Sequence, residues 1–352
     1  MTRFIRMKPL SVVLLLLSLW IVLAGCGEKE AVQAGGVPAA SNASAAPASG
    51  SAGEKELFSL KLTSPSGSGV SPTFIAEHLG FFKENGIKAD FVGAIDSGKQ
   101  LSSVVAGKLD VGGGHINRTI AGISGGAKVR AVVAGSETDK DYPHMTFAVL
   151  KDSPIKTAAD LIGTKHGASA YGGCMEYTPY EYMRLNGKVK DPKEDLELVI
   201  IPVGQEVQAL RQKQVESIAV SGNAQYVLNN SPDLRLLFTD YDVWGTVGGN
   251  TAGFFAQSFI DKHPDIVKGY VAAIGKSYNW INEHRDEALE ITAKEFKVDR
   301  AKINIMNYPK DGVIKEDSVQ LWIDTLNYYK EIKPGIKPAD IYTNEFNPYY
   351  KP

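Results

Sequence analysis

From residue 57 the chain alternates apolar and polar positions, Leu57-Phe58-Ser59-Leu60-Lys61-Leu62, which is the two-residue period of a half-buried strand. A Gly/Ser/Pro loop over 64–72 follows. Phe74, Ile75, Ala76, Leu79, Phe81 and Phe82 then mark an apolar helix face that stops at Asn85-Gly86. Strand 87–92, helix 97–108, strand 109–112, helix 117–125 and strand 129–134 continue the alternation. It resumes after Lys151-Asp152-Ser153-Pro154 with strand 165–168, helix 174–185, strand 196–201, helix 205–212, strand 216–220, helix 224–230 and strand 234–238. Strands separated by helical stretches of about 10 to 15 residues predict crossover units and a largely parallel sheet. After a strand at 252–255 the pattern becomes helical throughout, over 264–283, 285–296, 301–306 and 315–332.

The N-terminus has a different pattern. Arg3, Arg6 and Lys8 precede an uncharged apolar run over 10–23, shorter than the roughly 20 residues a spanning helix needs. Small residues follow at once in Leu23-Ala24-Gly25-Cys26. A basic start, a short apolar stretch and small residues before a cysteine predict a secretory signal over 1–25, and the tetrapeptide resembles the lipobox of bacterial lipoproteins. That resemblance implies a lipidated Cys26, attachment to the membrane, and a location at the outer face of the cytoplasmic membrane. Residues 27–53 are rich in Ala, Gly, Ser and Pro and contain no aromatic residue, so they cannot bury enough surface to fold. With Cys26 they form a tether over 26–54, reaching roughly 25 to 30 Å root-mean-square as a flexible coil.

Composition narrows the function classes. The 352-residue chain has a formal charge of −2, and the loss of Arg3, Arg6 and Lys8 with the signal makes the mature chain more acidic, so no nucleic-acid surface is expected. The only cysteine besides Cys26 is Cys174, which leaves no disulfide framework and reads as a small buried hydrophobe. His78, His115, His144, His263 and His284 share no metal-ligand spacing, and His166, Cys174 and Glu176 make a thin set. No metal and no cofactor is expected, and no catalytic residue stands out.

Three blocks carry a family resemblance: Ile75-Ala76-Glu77-His78-Leu79-Gly80-Phe81-Phe82-Lys83-Glu84-Asn85-Gly86-Ile87, then Gly107-Lys108-Leu109-Asp110-Val111-Gly112, then the stretch from Lys151 to Lys165 containing Asp160-Leu161-Ile162-Gly163. Ala252-Gly253-Phe254-Phe255, Lys262-His263-Pro264 and Trp280-Ile281-Asn282-Glu283-His284 complete the order. Together they resemble the substrate-binding lipoproteins of ABC importers that take aliphatic sulfonates, nitrate and taurine, and their relatives that bind thiamine pyrimidine precursors. The resemblance implies an α/β fold of the type II periplasmic-binding-protein kind, with two α/β lobes joined by a two-segment hinge near 141–145 and 241–251. Lobe one would comprise 55–143 plus 250–352, and lobe two 144–249. A small organic anion as ligand, an ABC permease with its ATPase as partners, and a monomeric state are the further implications.

Ligands of open α/β sheets sit outside the carboxyl ends of strands, at loops entering helices. Those loops are dense in Ser, Gly and Asn, whose hydroxyls and free backbone N–H groups suit an anion. The expected ligand residues are Ser66, Ser68, Ser71, Ser97, His115, Asn117, Ser136, Ser169, Tyr171, Gly172, Ser221 and Asn223, with Trp244 from the second hinge segment. The same Ser and Asn residues also suit plain helix caps. Arg118 is placed to supply direct charge, although a helix-surface role suits it equally. Rival readings are an uncharged pyrimidine precursor as ligand, a lipid-anchored sensor, and an enzyme related to the eukaryotic pyrimidine synthase. The cysteine run of that enzyme is reduced here to Cys174 in Tyr171-Gly172-Gly173-Cys174-Met175.

Overall fold

The computed structural model describes residues 56–351 except 221 and 249; the expected signal, Cys26 and the tether lie outside the described residues, as does Ser221. The chain begins with β1 (Phe58–Leu62), whose alternating pattern buries Leu60 and Leu62 completely. Next come α1 (Pro72–His78), α2 (Phe81–Glu84), β2 (Ile87–Phe91), α3 (Ser97–Val105), β3 (Val111–His115), α4 (Ile116–Ser124) and β4 (Val129–Ala134). The apolar face over 74–82 is divided between α1 and α2 because Gly80 adopts φ +78°, a left-handed conformation that ends one helix and redirects the next.

The chain then passes to a second sheet through β5 (Thr146–Leu150), β6 (Thr164–Ala168), α5 (Cys174–Asn186), α6 (Pro192–Asp195), β7 (Leu196–Ile200), α7 (Glu206–Arg211), β8 (Ser217–Ala219), α8 (Ala224–Asn229) and β9 (Leu234–Thr239). It returns through α9 (Asp240–Trp244) to β10 (Thr251–Ala256), and finishes in α10 (Gln257–Lys262), α11 (Pro264–Glu283), α12 (Arg285–Phe296), α13 (Glu316–Tyr328) and α14 (Pro338–Ile341).

The strand order is β7-β6-β8-β5-β9 in the second sheet and β3-β10-β4 in the first, with β1 and β2 paired in parallel. The β1 backbone reaches β3 through Asp110 N–H to the Lys61 carbonyl at 3.1 Å, and Asp110 Oδ2 accepts the Lys61 N–H at 2.8 Å. Both sheets thus follow one plan, in which a single antiparallel strand, β10 or β5, is inserted among strands of the crossover type. The expected parallel character holds for β1–β2, β6–β7 and β6–β8, while β5 makes the second sheet mixed and β10 makes the sheet β3-β10-β4 wholly antiparallel.

Three expectations need correction. Residues 301–306 are not a helix: after a 3-10 turn at Arg300–Lys302, Asn304 runs extended, donating its N–H to the Ser68 carbonyl and accepting from Val70 at 2.9 Å, while Ile303 is buried. The turn-rich stretch 241–251 contains α9, started by a capping box in which Thr239 and Asp242 satisfy each other's backbone N–H groups. The helix expected over 315–332 stops at Tyr328, and Lys330 takes positive φ just beyond it.

One apolar cluster runs through both sheets, from Ile116 and Ile120 of α4 to Phe147 of β5 and Tyr177 of α5. Trp322 of α13 lies at its centre, fully buried, with its ring 4.4 Å from His115, 4.9 Å from Trp244 and 6.4 Å from Tyr177. The end of α13 is tied to α5 by polar contacts as well. Buried Glu181 accepts Tyr329 Oη at 2.9 Å and two bonds from the Arg184 guanidinium. A second cluster packs α11 against β1, β2, β4 and β10.

Within α11, Gly275 lies against the 3-10 turn at Lys310–Gly312. A Cβ at Gly275 would lie 2.6 Å from the Asp311 carbonyl oxygen, and Asp311 is pinned there by Asn279, which accepts its N–H at 2.9 Å. Alanine normally gains about 1 kcal/mol over glycine inside a helix. Here the clash with fixed backbone reverses the sign, so Gly275→Ala is expected to lose about 1–3 kcal/mol in urea denaturation. An unchanged or raised midpoint would show that the segment after α12 yields freely.

Candidate functional site

Three helices begin where the two sheets face each other. The N-cap positions of α3, α4 and α5 are Asp96, His115 and Gly173, and none of their side chains accepts a bond from the first turn. Ser97, His115, Gly173 and Cys174 from these three starts line one cavity of about 290 Å³, together with Gly114, Arg118, His144, Ser169, Met175, Thr251 and Met306. At these starts no N-cap side chain bonds the first turn, and the positive ends of the helix dipoles lie beside that space. A second chamber of about 270 Å³ shares Ser97, Gly114 and Thr251 and continues into the first sheet between Gln100, Gly113, Tyr270 and Tyr278.

Arg118, on the first turn of α4, spans the cleft. Its guanidinium donates to Ser97 Oγ at 3.3 Å on one side and to the Tyr171 carbonyl at 3.0 Å on the other. Gly173 leaves room for it, since a Cβ there would stand 2.8 Å from Arg118 Nη2. Among the described residues lining this cavity it is the only Lys or Arg, and no carboxylate lines it.

Beside Arg118 three further groups converge. One ligand atom each from His115, His144 and Cys174 lies within 4.8 Å of the others. His115 is buried, and its Nδ1 meets Asn117 Oδ1 at 2.9 Å, while Nε2 is buried without a hydrogen-bond partner. His144 Nδ1 faces Ser136 Oγ at 3.3 Å, and Ser136 in turn bonds Thr251 Oγ1 through both its N–H and its hydroxyl. Burial holds the His115 imidazole well below its ordinary value, with the neighbouring His144 and Arg118 adding to it, and burial pushes His144 down to about 4. Burial, reinforced by Asp240, raises the Cys174 thiol.

The sequence-predicted residues fall into three groups. Ser97, His115 and Ser169 line the cleft, and Asn117, Ser136, Tyr171 and Gly172 stand directly behind it or at its edge. The Gly172 N–H is held by Glu176 at 2.6 Å, Ser169 Oγ points to Met175 Sδ at 3.1 Å, and the Tyr171 side chain is exposed. Ser66 and Ser68 bond each other at 2.8 Å in an exposed loop. Ser71 caps α1 through the Phe74 N–H, and Asn223 caps α8 through the Tyr226 N–H while donating to the Ala301 and Ile303 carbonyls. Trp244 packs on Trp322 rather than lining either chamber. Sequence reasoning missed the meeting of His144 and Cys174 with His115. The available signal was that each lies beside a glycine-rich turn or a passage between sheets.

A family model described as NMT1/THI5 like matches residues 68–288, and the chain belongs to that family. A relative in Brucella abortus (strain 2308), named for a binding role, is 23% identical over 295 residues, covering 79% of this chain and 88% of the relative. Among solved structures, the alkanesulfonate-binding protein SsuA from Xanthomonas axonopodis pv. citri bound to MOPS superposes with TM-score 0.63 at 15% identity, over 83% of this chain and 99% of that one. The periplasmic nitrate-binding protein NrtA from Synechocystis PCC 6803 gives 0.64 at 15% identity, over 83% and 87%. The desulfurization enzyme DSZB gives 0.57 at 15% identity, over 82% and 97%, so the same fold also serves an enzyme. These likenesses establish the α/β fold of periplasmic binding proteins. Among the described residues no helix is long and apolar enough to cross a membrane.

Asp240 lies behind the cleft, fully buried at the start of α9. It accepts Thr138 Oγ1 at 2.9 Å and the Met145 N–H at 3.1 Å, yet burial raises its carboxyl to about 6. The folded state therefore holds this proton up to about pH 6, whereas an unfolded Asp releases it near 3.8, so the group costs stability increasingly as pH rises through that window. The buried histidines act in the opposite sense: with His144 and His166 near 4 against 6.5, their contribution is lost as pH falls from 6.5 toward 4. Asp240→Asn keeps an acceptor oxygen and removes the ionisation. Its melting temperature relative to the parent should therefore be higher at about pH 7.5 than at about pH 4. The same difference at both pH values would remove Asp240 from the pH dependence.

Proposed function

We propose that the protein is a lipid-anchored, extracytoplasmic solute-binding component of an ABC importer, whose ligand is a small organic anion such as an aliphatic sulfonate or taurine, or nitrate. The observation that carries this reading is the convergence of three uncapped helix starts and the Arg118 guanidinium on one cavity without a carboxylate. Oxyanions are held well by N–H donors, hydroxyls and one bidentate cation. The reading requires binding and release only, with no covalent chemistry. The passages between the sheets, β4 to β5 and β9 to β10, would serve as the two hinge segments dividing lobe one from lobe two, and closure about them would bring Arg118 and the α5 start onto the ligand. The family and the binding role named for its relatives support the same assignment.

A formylated pyrimidine is the second reading, favoured by the Tyr270 and Tyr278 rings at the wall of the inner chamber, which offer surface to an aromatic body. A thermal-shift panel of taurine, alkanesulfonates, nitrate, sulfate esters and formylated pyrimidines separates the two. A ligand at 100 times its Kd adds about 2.7 kcal/mol to the folded state, which raises the melting temperature by several degrees. One of the anions should do so, and Arg118→Ala should abolish that shift while leaving the unliganded melting temperature nearly unchanged. A shift given only by a pyrimidine, and retained in Arg118→Ala, would replace the anion by the pyrimidine.

The anchor has its own test. With Cys26 lipidated, the tether keeps the binding body within a few tens of ångströms of a membrane permease and so raises its effective concentration there. Cys26→Ala should release folded, ligand-competent protein from the membrane and lower uptake of radiolabelled ligand by cells. Retention in the membrane fraction would remove Cys26 as the anchor, and undiminished uptake by released protein would reduce the anchor to an address.

A further inference from the structure

The geometry points to a transition-metal site of the zinc class at the floor of the cleft, formed by His115, His144 and Cys174. Each ligand comes from a different part of the chain. His115 is the N-cap of α4, His144 lies in the passage from β4 to β5, and Cys174 opens α5. Two imidazoles and one thiol within 4.8 Å of one another match the borderline-soft nitrogen and sulfur set that Zn²⁺ prefers. A tetrahedral ion with bonds of about 2.0–2.3 Å holds its ligand atoms about 3.5 Å apart, so side-chain rotation closes the set around it.

The surroundings are those of a metal centre in two further respects. Asn117 Oδ1 at 2.9 Å requires the proton on His115 Nδ1, which leaves the buried, unpartnered Nε2 with a free lone pair. Ser136 Oγ similarly occupies His144 Nδ1, and Thr251 fixes that serine. The wall holds the Met175 and Met306 thioethers and no carboxylate, which disfavours hard cations such as Mg²⁺ or Ca²⁺.

Binding replaces the thiol proton of Cys174, which leaves to solvent, by a sulfur–metal bond. Three protein ligands leave the fourth position open to the cavity beside Arg118. The bound ion and thiolate retain one positive charge, and Arg118 adds another, so the open position would be filled by an anionic donor. This last step, that the cargo coordinates the metal, rests on the anion reading above; the metal site itself does not.

The test uses the full chain carrying Cys26→Ser, so that Cys174 is its one thiol. Zn²⁺ is titrated against a chromophoric chelator, and Co²⁺ is added as a spectroscopic substitute. One equivalent of Zn²⁺ should bind, and Co²⁺ should give a near-ultraviolet thiolate-to-cobalt band that Cys174→Ser removes. His115→Ala and His144→Ala should each weaken Zn²⁺ binding by about tenfold or more, and Asn117→Ala by about tenfold, as outer-shell partners of metal-bound histidines do. His78→Ala, in an exposed position, should change nothing. Melting temperatures in chelator check that each variant is folded, and Cys174→Ala replaces Cys174→Ser if the hydroxyl is not tolerated. Absence of the cobalt band, or equal Zn²⁺ affinity in parent and Cys174 variants, would overturn the site and identify any bound metal as adventitious. The anion panel repeated with and without Zn²⁺ keeps the two readings apart. An anion that binds chelator-treated and zinc-treated protein alike sinks the coordinated-cargo step only. Zinc binding with no anion response sustains the metal site and sinks the anion reading.

Discussion

The insertion of β10 between β3 and β4 is the constraint on which the cleft depends. Thr251 pairs with His115 and Ala252 with both Gly114 and Ala134, so strands more than a hundred residues earlier acquire their neighbour only when this segment arrives. Without it the first sheet has a gap at its centre, and the unpaired N–H and C=O groups of two strands would be stranded in the core. The same insertion places the Thr251 hydroxyl against Ser136, which faces His144. In the second sheet β5 plays the equivalent part between β8 and β9. Both inserted strands adjoin the passages between sheets, so completing the sheets and shaping the cleft are one folding event. Such long-range pairing carries a loop-closure cost that only the finished core repays.

Much of the architecture was legible because period and punctuation agree. Leu60 and Leu62 alternate with exposed positions, and most of the helices that close at Gly or Asn were placed to within a few residues. β5 escaped because Thr146-Phe147-Ala148-Val149 is buried on both faces and shows no alternation. Residues 301–306 escaped because Asn304 is held by backbone bonds to the distant Ser68–Val70 loop, a tertiary effect that propensity does not register. At the site, Ser97, His115 and Ser169 could be found from strand-to-helix loops alone. Ser71 and Asn223 illustrate the limit of that signal, because a serine or asparagine that caps a helix and one that holds an anion use the same oxygen or N–H chemistry. The trio of His115, His144 and Cys174 is assembled from three separate segments by the sheet insertions, and no local spacing encodes it.

The cleft combines groups whose charges are set by their surroundings rather than by their intrinsic chemistry. Burial keeps the imidazoles of His115 and His144 neutral and the Cys174 sulfur protonated, while Arg118 brings the guanidinium to the same space. The result is a pocket with donors, soft lone pairs and one cation. Trp322 packs against His115 behind this pocket and against Trp244, and Glu181 with Tyr329 fastens the end of the same helix to α5. A helix from the end of the chain therefore stabilises residues contributed by both sheets.

The span of Arg118 from Ser97 to the Tyr171 carbonyl has a further consequence. One of the guanidinium's five N–H donors is already given to a neutral backbone oxygen, so an acceptor arriving at that N–H must displace the carbonyl. Displacement is favourable only for an acceptor stronger than an amide carbonyl, and ionised oxygens are such acceptors. At that N–H the carbonyl acts as an internal competitor whose position is fixed by the fold.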